Sequence, residues 1–568
     1  MTTRPIVSNN LNRKESRSVK SSSVIVTIVS VYILFYYTQP YAASWTANSF
    51  VQAQEIYSDN IKLAPSGREQ SAFVTEVNPG VRINANSPLS TWNFIYRMQN
   101  IYNAGGDNGF DIYNQLQSNS HNIFIPNKLF LDSYSTIGQQ NINNFRPGAD
   151  NINGSANSTN VYNFGLSPYW TPHFGNYAYG TARVDFNTIA TSGNSTLDNN
   201  LNPQLATVLD NNRNTISDSV NLSETINLNS GTYFQRVNWN LSFNNNTNYR
   251  INSPNVSFQN ANGRVGTSIN QKFRVFAQGG YSNNDYQSTT GDNNSGFYYT
   301  VGGQWIPSQR YSITAGAGNN SFVTVYISPM QRLNWTTTYS HNSVGTNFGQ
   351  YSGTNGVNGG GNFGDNWQTA LNYRTRRSTW SLTHNNNTTT AQQILAQNQI
   401  FPDQSQINNT LSNPVPDPRV INNPVLTDQV IVTKNWNFSV SFNTGKSTFS
   451  GNAYFDDYQY QISDINQKLI GVSGTWNWRF ASQTSSYLTP QWQMTDNQGS
   501  INNSQYYTVS IGINHSFTSR INGILEYRHV NQSSDGSSVG SSDVSQLLNN
   551  LVNDYQENRA TASLNMRF

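Results

Sequence analysis

Few residues in this 568-residue chain could do chemistry by themselves. Gly536-Ser537-Ser538-Val539-Gly540 has the spacing of a nucleophile elbow, whose serine must sit on a strained turn between a strand and a helix. It stands in a Ser/Gly-rich stretch after an alternating segment, so it reads as a loop. The six histidines, His121, His173, His341, His384, His515 and His529, have no metal-ligand spacing. A hydrolase site assembled from separate strands would involve His341 and His384 first. Asp456 and Asp457 are adjacent, so on a strand they point to opposite faces and make a poor acid/base pair. There is no cysteine, which excludes disulfides, thiolate zinc sites, iron-sulfur clusters, cysteine nucleophiles and a lipidated cysteine. The expectation is a protein that is not an enzyme and carries no metal or cofactor.

The more informative residues are Arg236, Arg274, Arg374, Arg376 and Arg479, each on the polar side of an alternating segment. If those segments form a barrel, the five face its lumen, where rings of charge set solute selectivity. Hydrogen bonding to Asn and acidic neighbours, filling the interior, is the equal alternative. Lumenal amides, hydroxyls and aromatic faces would suit a sugar chain, and are also what a wet interior requires.

Such side chains need long, regular strands to hold them. Val237, Trp239, Leu241 and Phe243 alternate with Arg236, Asn238, Asn240, Ser242 and Asn244. Trp436, Phe438, Val440 and Phe442 do the same, as do Ile470, Val472, Gly474, Trp476, Trp478 and Phe480. Period two marks strands whose two faces meet different environments. Only 11% of residues are charged, against roughly 25% in soluble domains, while 13% are aromatic. A soluble sandwich also alternates, but strand cores of about ten residues with aromatic apolar faces fit the bilayer. A mean hydropathy of −0.59 excludes a helical membrane bundle. Lipid cannot satisfy a free strand edge, so the sheet must close.

The expected fold is therefore all-β: a closed antiparallel transmembrane β-barrel of about 16–22 strands with long Asn/Gly/Ser-rich loops. Those loops are read at Asn103–Asn160, Thr191–Asn214, Gly353–Asp365, Thr388–Thr427 and Gln532–Asp554. Basic Arg13, Lys14, Arg17 and Lys20, apolar Val24 to Tyr37 and small Ala42-Ala43 have the order of a secretory signal peptide. Residues 1–43 are assigned to it and 44–568 to the barrel, with an uncleaved anchor as the alternative. Ala560, Ala562, Leu564 and Met566 alternate with Arg559, Thr561, Ser563, Asn565 and Arg567, and Phe568 follows. That ending looks like the assembly signal of Gram-negative outer-membrane proteins. Arginines spread singly, with a net charge of +3, give no nucleic-acid signature.

Four stretches carry a family resemblance. They are Tyr57-Ser58-Asp59-Asn60-Ile61-Lys62-Leu63-Ala64-Pro65-Ser66-Gly67, Phe73-Val74-Thr75-Glu76-Val77-Asn78-Pro79-Gly80, Tyr555-Gln556-Glu557-Asn558-Arg559, and Val415-Pro416-Asp417-Pro418 with Asn423-Pro424-Val425-Leu426-Thr427-Asp428-Gln429-Val430. Together the chain resembles the PEP-CTERM system-associated outer-membrane β-barrel family. The resemblance implies an outer-membrane location and an association with exosortase and exopolysaccharide loci. Its expected partners are outer-membrane lipid, the barrel assembly machinery, and an exopolysaccharide with its export components. It carries over no functional residues. A general diffusion porin is the alternative reading and an outer-membrane hydrolase a weaker one. In residue terms, Ala64-Pro65-Ser66-Gly67 is a turn former joining the strands on either side.

Overall fold

The computed structural model describes residues 44–568 apart from 106–108, 143–146, 149, 154–157, 194–215, 252, 289–294, 347–361, 398–423, 463–465, 499–502 and 535–553. The expected signal peptide and the Gly536–Gly540 stretch lie outside the described residues. The described strands form one antiparallel sheet of 25, of which His173–Phe174 is a two-residue piece paired inside a turn, leaving a wall of 24. The first strand, Ser44–Ser58, pairs with the second, Ala72–Asn86, on one side and with the last, Tyr555–Arg567, on the other. The seam runs from Phe50 opposite Arg567 to Ser58 opposite Arg559, and closes the barrel.

The alternation becomes the two faces of this wall. Leu241 is 50% exposed and Leu525 64%, on the outside, where a water-soluble protein would bury them. Trp45, Trp170, Trp305, Trp380 and Trp478 form an outward belt toward one end; Tyr57, Phe73, Tyr102, Phe297 and Tyr507 form another toward the opposite end. Above the second belt, outward Lys434, Asp457, Lys468 and Asp496 pair side by side across four neighbouring strands. An apolar band between aromatic belts is what hydrocarbon between two interfaces demands. An arginine placed at Leu241 should cost about 2–4 kcal/mol of folding free energy in lipid vesicles, whereas Ser242→Arg, on the inner face, should cost far less. Equal losses in urea titrations would contradict this assignment of faces.

The strand number exceeds the expected 16–22, largely because Asn103–Asn160 is not one loop. It contains the strands Gly109–Ile125 and Leu129–Asn141. In the first of these the outward positions between Ile112 and Phe124 include Asn114, Ser118, Ser120 and Asn122, so the apolar/polar contrast is lost mid-strand. Lateral hydrogen bonds satisfy these groups instead: Trp92 Nε1 donates to Ser118 Oγ at 2.9 Å, and the Ser120 and Ser133 hydroxyls meet at 2.8 Å. The Ala64–Gly67 turn forms as expected, with Gly67 at φ 83°.

The two ends differ. Eleven short connections, such as 87–89, 309–310 and 444–446, share one end with Ser44 and Phe568; the long ones share the other. On the inner wall, tyrosines lie flat over glycines of the next strand. A Cβ at Gly471 would fall 2.1 Å from the ring of Tyr454, and one at Gly512 2.4 Å from that of Tyr487. Larger residues there would push the rings into the lumen.

Candidate functional site

Two segments from the long-connection end enter the lumen. The first lies between the strands Leu129–Asn141 and Ser158–Trp170. In it, Asp150 Oδ1 accepts from the backbone N–H groups of Ile152 and Asn153 at 3.1 and 3.2 Å, shaping a tight turn. That leaves Oδ2 for the wall, where Arg559 Nη1 approaches to 2.6 Å and Arg528 Nη2 to 3.3 Å. Both arginines also reach Glu557, which is fully buried and accepts from Ser58 Oγ at 2.7 Å. Asn151 donates to Gln99 at 2.8 Å, Asn153 to the Ile61 carbonyl at 3.2 Å, and Ile152 packs on Ile56, Ile61, Val74 and Ile101. Buried charges persist only when paired and hydrogen-bonded, so this cluster locks the inward turn to the barrel's seam.

The second is the short helix Ala391–Gln397 together with residues 424–429. Thr390 and Gln393 form a capping box: the Gln393 N–H donates to Thr390 Oγ1 at 3.3 Å, and the Thr390 N–H to Gln393 Oε1 at 3.1 Å. Ala391, Leu395 and Leu426 pack on Val161 and Ile189 from one wall, and on Ile431, Tyr458 and Leu469 from the wall across the lumen. Asp428 gathers hydrogen bonds from Ser217, Ser253 and Gln392, the last at 2.7 Å. Asn163 Nδ2 donates to the Ala396 carbonyl at 3.2 Å, and Gln393 Nε2 to Asn246 at 2.9 Å. The bore is thus crossed at the long-connection end by a polar and apolar tie between opposite walls.

The described residues of the stretches behind the family resemblance meet at these two places; Val415–Pro418 lies outside the described residues. Asp59 accepts from the Asn558 N–H and side-chain amide at 2.7 and 2.6 Å, and Asn60 donates to the Gln556 carbonyl at 2.8 Å. Glu76 accepts from Gln54, Asn78 and Gln99 beside the seam. Val425 to Gln429 belong to the crossing. Toward the short-turn end, a recess of about 290 Å³ is lined by Ser381, Ser439, Ser450, Asn452 and Ser473 together with Trp380 and Val440.

The five arginines chosen from the sequence stand elsewhere. Arg236 and Arg376 lie in short turns; Arg274, Arg374 and Arg479 lie at strand ends by the same turns, exposed and with inward register. They ring a mouth and do not line a constriction. Among the described residues the interior arginines are Arg82, Arg97, Arg183, Arg250, Arg264, Arg528 and Arg559, six of which had no distinguishing sequence signal; Arg559 had one, its place in the final alternating strand. The capping box Thr390–Gln393 was a legible sign of the helix that the loop reading of Thr388–Thr427 passed over. Phe568 projects outward at the short-turn end, its N–H bonded to the Ser49 carbonyl at 2.9 Å.

Catalytic geometry is thin. His341 Nδ1 is 2.8 Å from Asp365, which also accepts from Tyr339 at 2.7 Å, but all three stand exposed on the outer face. His384 stacks on Trp436 at 4.1 Å and bonds the Asn435 carbonyl. Asp456 faces inward and Asp457 outward, as adjacent strand residues must. Among the described residues, no group of three or more His, Cys, Asp or Glu could hold a metal ion, and no helix is long and apolar enough to cross a membrane.

No family model matches the chain, and no curated protein matches it. Among solved structures it is similar to the FrpB iron transporter of Neisseria meningitidis, at 9% identity over 92% of this chain and 82% of that one, with a TM-score of 0.41. A mutant ferric enterobactin receptor of Pseudomonas aeruginosa gives 9%, 92%, 80% and 0.39. The anion-selective porin of Comamonas acidovorans gives 8%, 93%, 100% and 0.30.

Proposed function

We propose that this protein is a non-enzymatic, gated outer-membrane conduit that takes part in export or surface display of an exopolysaccharide in a PEP-CTERM/exosortase setting. An apolar outer band between aromatic belts supports a membrane location, and a barrel of this kind belongs to the outer membrane. The observation that carries the reading is the crossing of the lumen by Ala391–Gln397 and residues 424–429, hydrogen-bonded to Asn163 and Asn246 on one side and, through the Val425 N–H, to Tyr460 on the other. A diffusion porin needs a standing aqueous bore, whereas a dedicated exporter needs one that opens on demand. The Ser- and Asn-lined recess supports a hydroxyl-rich solute, since amides and hydroxyls match sugar hydroxyls. The stretches that resemble the family supply Ser58, Glu557 and Arg559 to the seam cluster and residues 424–429 to the crossing. Outer-membrane lipid, the barrel assembly machinery and the export components are the partners this reading requires.

Deleting the gene should lower cell-surface polysaccharide, with normal amounts of other outer-membrane proteins. Unchanged secreted and capsular polysaccharide would overturn the export reading. In planar bilayers the purified protein should show rare openings; large, steady openings would favour the porin instead.

A further inference from the structure

The eleven short turns contain nine Lys or Arg residues, all exposed, and no Asp or Glu. Residues 44–568 carry 27 Lys or Arg against 28 Asp or Glu, so the cations gathered at this end are offset by acidic residues elsewhere in the barrel. Arg274, Arg374, Arg479 and Arg567 add to it at strand ends, with the register of the inner face.

The charge continues inside. Along one row of the inner wall, Arg567 stands opposite Phe50, Phe50 opposite Gly80, and Gly80 opposite Arg97. Gly80 leaves its place to the Phe50 ring, whose Cζ would lie 2.2 Å from a Cβ there. Arg82, two residues along on the same face, is 8% exposed. No hydrogen bond or ion pair joins its side chain to a described residue, its Nε is buried without a partner, and the charge acting on it is a like one, Arg567. Arg97 is held by the neutral amides of Gln115 and Gln52 at 2.8 and 3.3 Å, with Glu76 acting on it from further along the wall. A buried, unpaired guanidinium beside another cation is costly unless an anion joins it. Guanidinium forks match the planar oxygens of carboxylates and phosphates.

We propose that the short-turn mouth and the Arg82–Phe50–Arg567 row form a binding path for an acidic polysaccharide. The rim concentrates the polyanion, and the inner row holds successive acidic groups while the Phe50 face packs on a sugar ring. The inward register of the strand-end arginines favours a chain entering the lumen over lipid phosphates at the outer surface. The proposal deepens the export reading and rests on it for the direction of travel, not for the binding itself.

The test is isothermal titration of the full-length barrel, in zwitterionic nanodiscs, with hexagalacturonate and with uncharged maltohexaose. The acidic oligomer should bind, weaken steeply with added salt, and lose roughly tenfold in affinity in R567Q and in R82Q. R567Q alters an exposed side chain and keeps the test alive if R82Q does not fold. No binding, equal binding of maltohexaose, full affinity in R567Q, or binding only when the discs carry anionic lipid would each overturn the proposal. Binding of hexagalacturonate together with normal polysaccharide secretion in the deletion strain would leave this site standing and remove the export reading.

Discussion

Replacing residues 391–429 with a short Gly/Ser turn should turn a quiet barrel into an open one, raising single-channel conductance by roughly an order of magnitude. A ring of 24 strands encloses more bore than its inward side chains can fill, and the helix with residues 424–429 is what spans it. Removing them breaks the Asp428 hydrogen bonds and strips Leu395 and Leu426 from the walls they join. The wall should survive, because each strand keeps both ladder neighbours. Heat-modifiable mobility would verify folding, and uptake of large antibiotics by cells would report the opening. A folded variant with unchanged conductance would mean that the crossing is not the gate.

Removing the Glu557 carboxylate should be the most damaging single substitution. Glu557→Ala leaves Arg559 and Arg528 facing each other with Asp150 alone between them, and unpairing a buried ion pair typically costs about 3–5 kcal/mol. The loss falls on the seam, where Ser58 and Glu557 join the first and last strands. Asp150→Ala should cost less, since it frees the inward turn and leaves the seam's own pair. Because both carboxylates share Arg559, the double variant should depart from additivity by about 0.5–3 kcal/mol. Urea unfolding in lipid vesicles measures all three. A loss under about 1 kcal/mol for Glu557→Ala would place the cluster among weak, solvated ion pairs.

The sequence alone determined the wall. Alternation is local, so Trp239, Leu241 and Phe243 declare their common face without knowledge of any partner, and closure follows because an open edge in lipid has no hydrogen-bond partners. It failed where outward Ser118, Ser120 and Asn122 erased the contrast, since lateral hydrogen bonds that replace burial leave no periodic trace. Period two also gives the side of a strand but not the height. Arg236, Arg274, Arg374, Arg376 and Arg479 were therefore read as lumenal when they stand at or beside the mouth. Only the tertiary structure decided what meets what. Ser58 and Glu557 are 499 residues apart and touch because the barrel closes. Asp428 finds Ser217 because one connection folds back through the bore. The cations looked scattered along the chain, yet each turn at the same end of an antiparallel sheet brings its own to one rim. Which residues share a strand face is written in near neighbours, whereas which share a rim or a lumen depends on strand count and closure, properties of the whole ring.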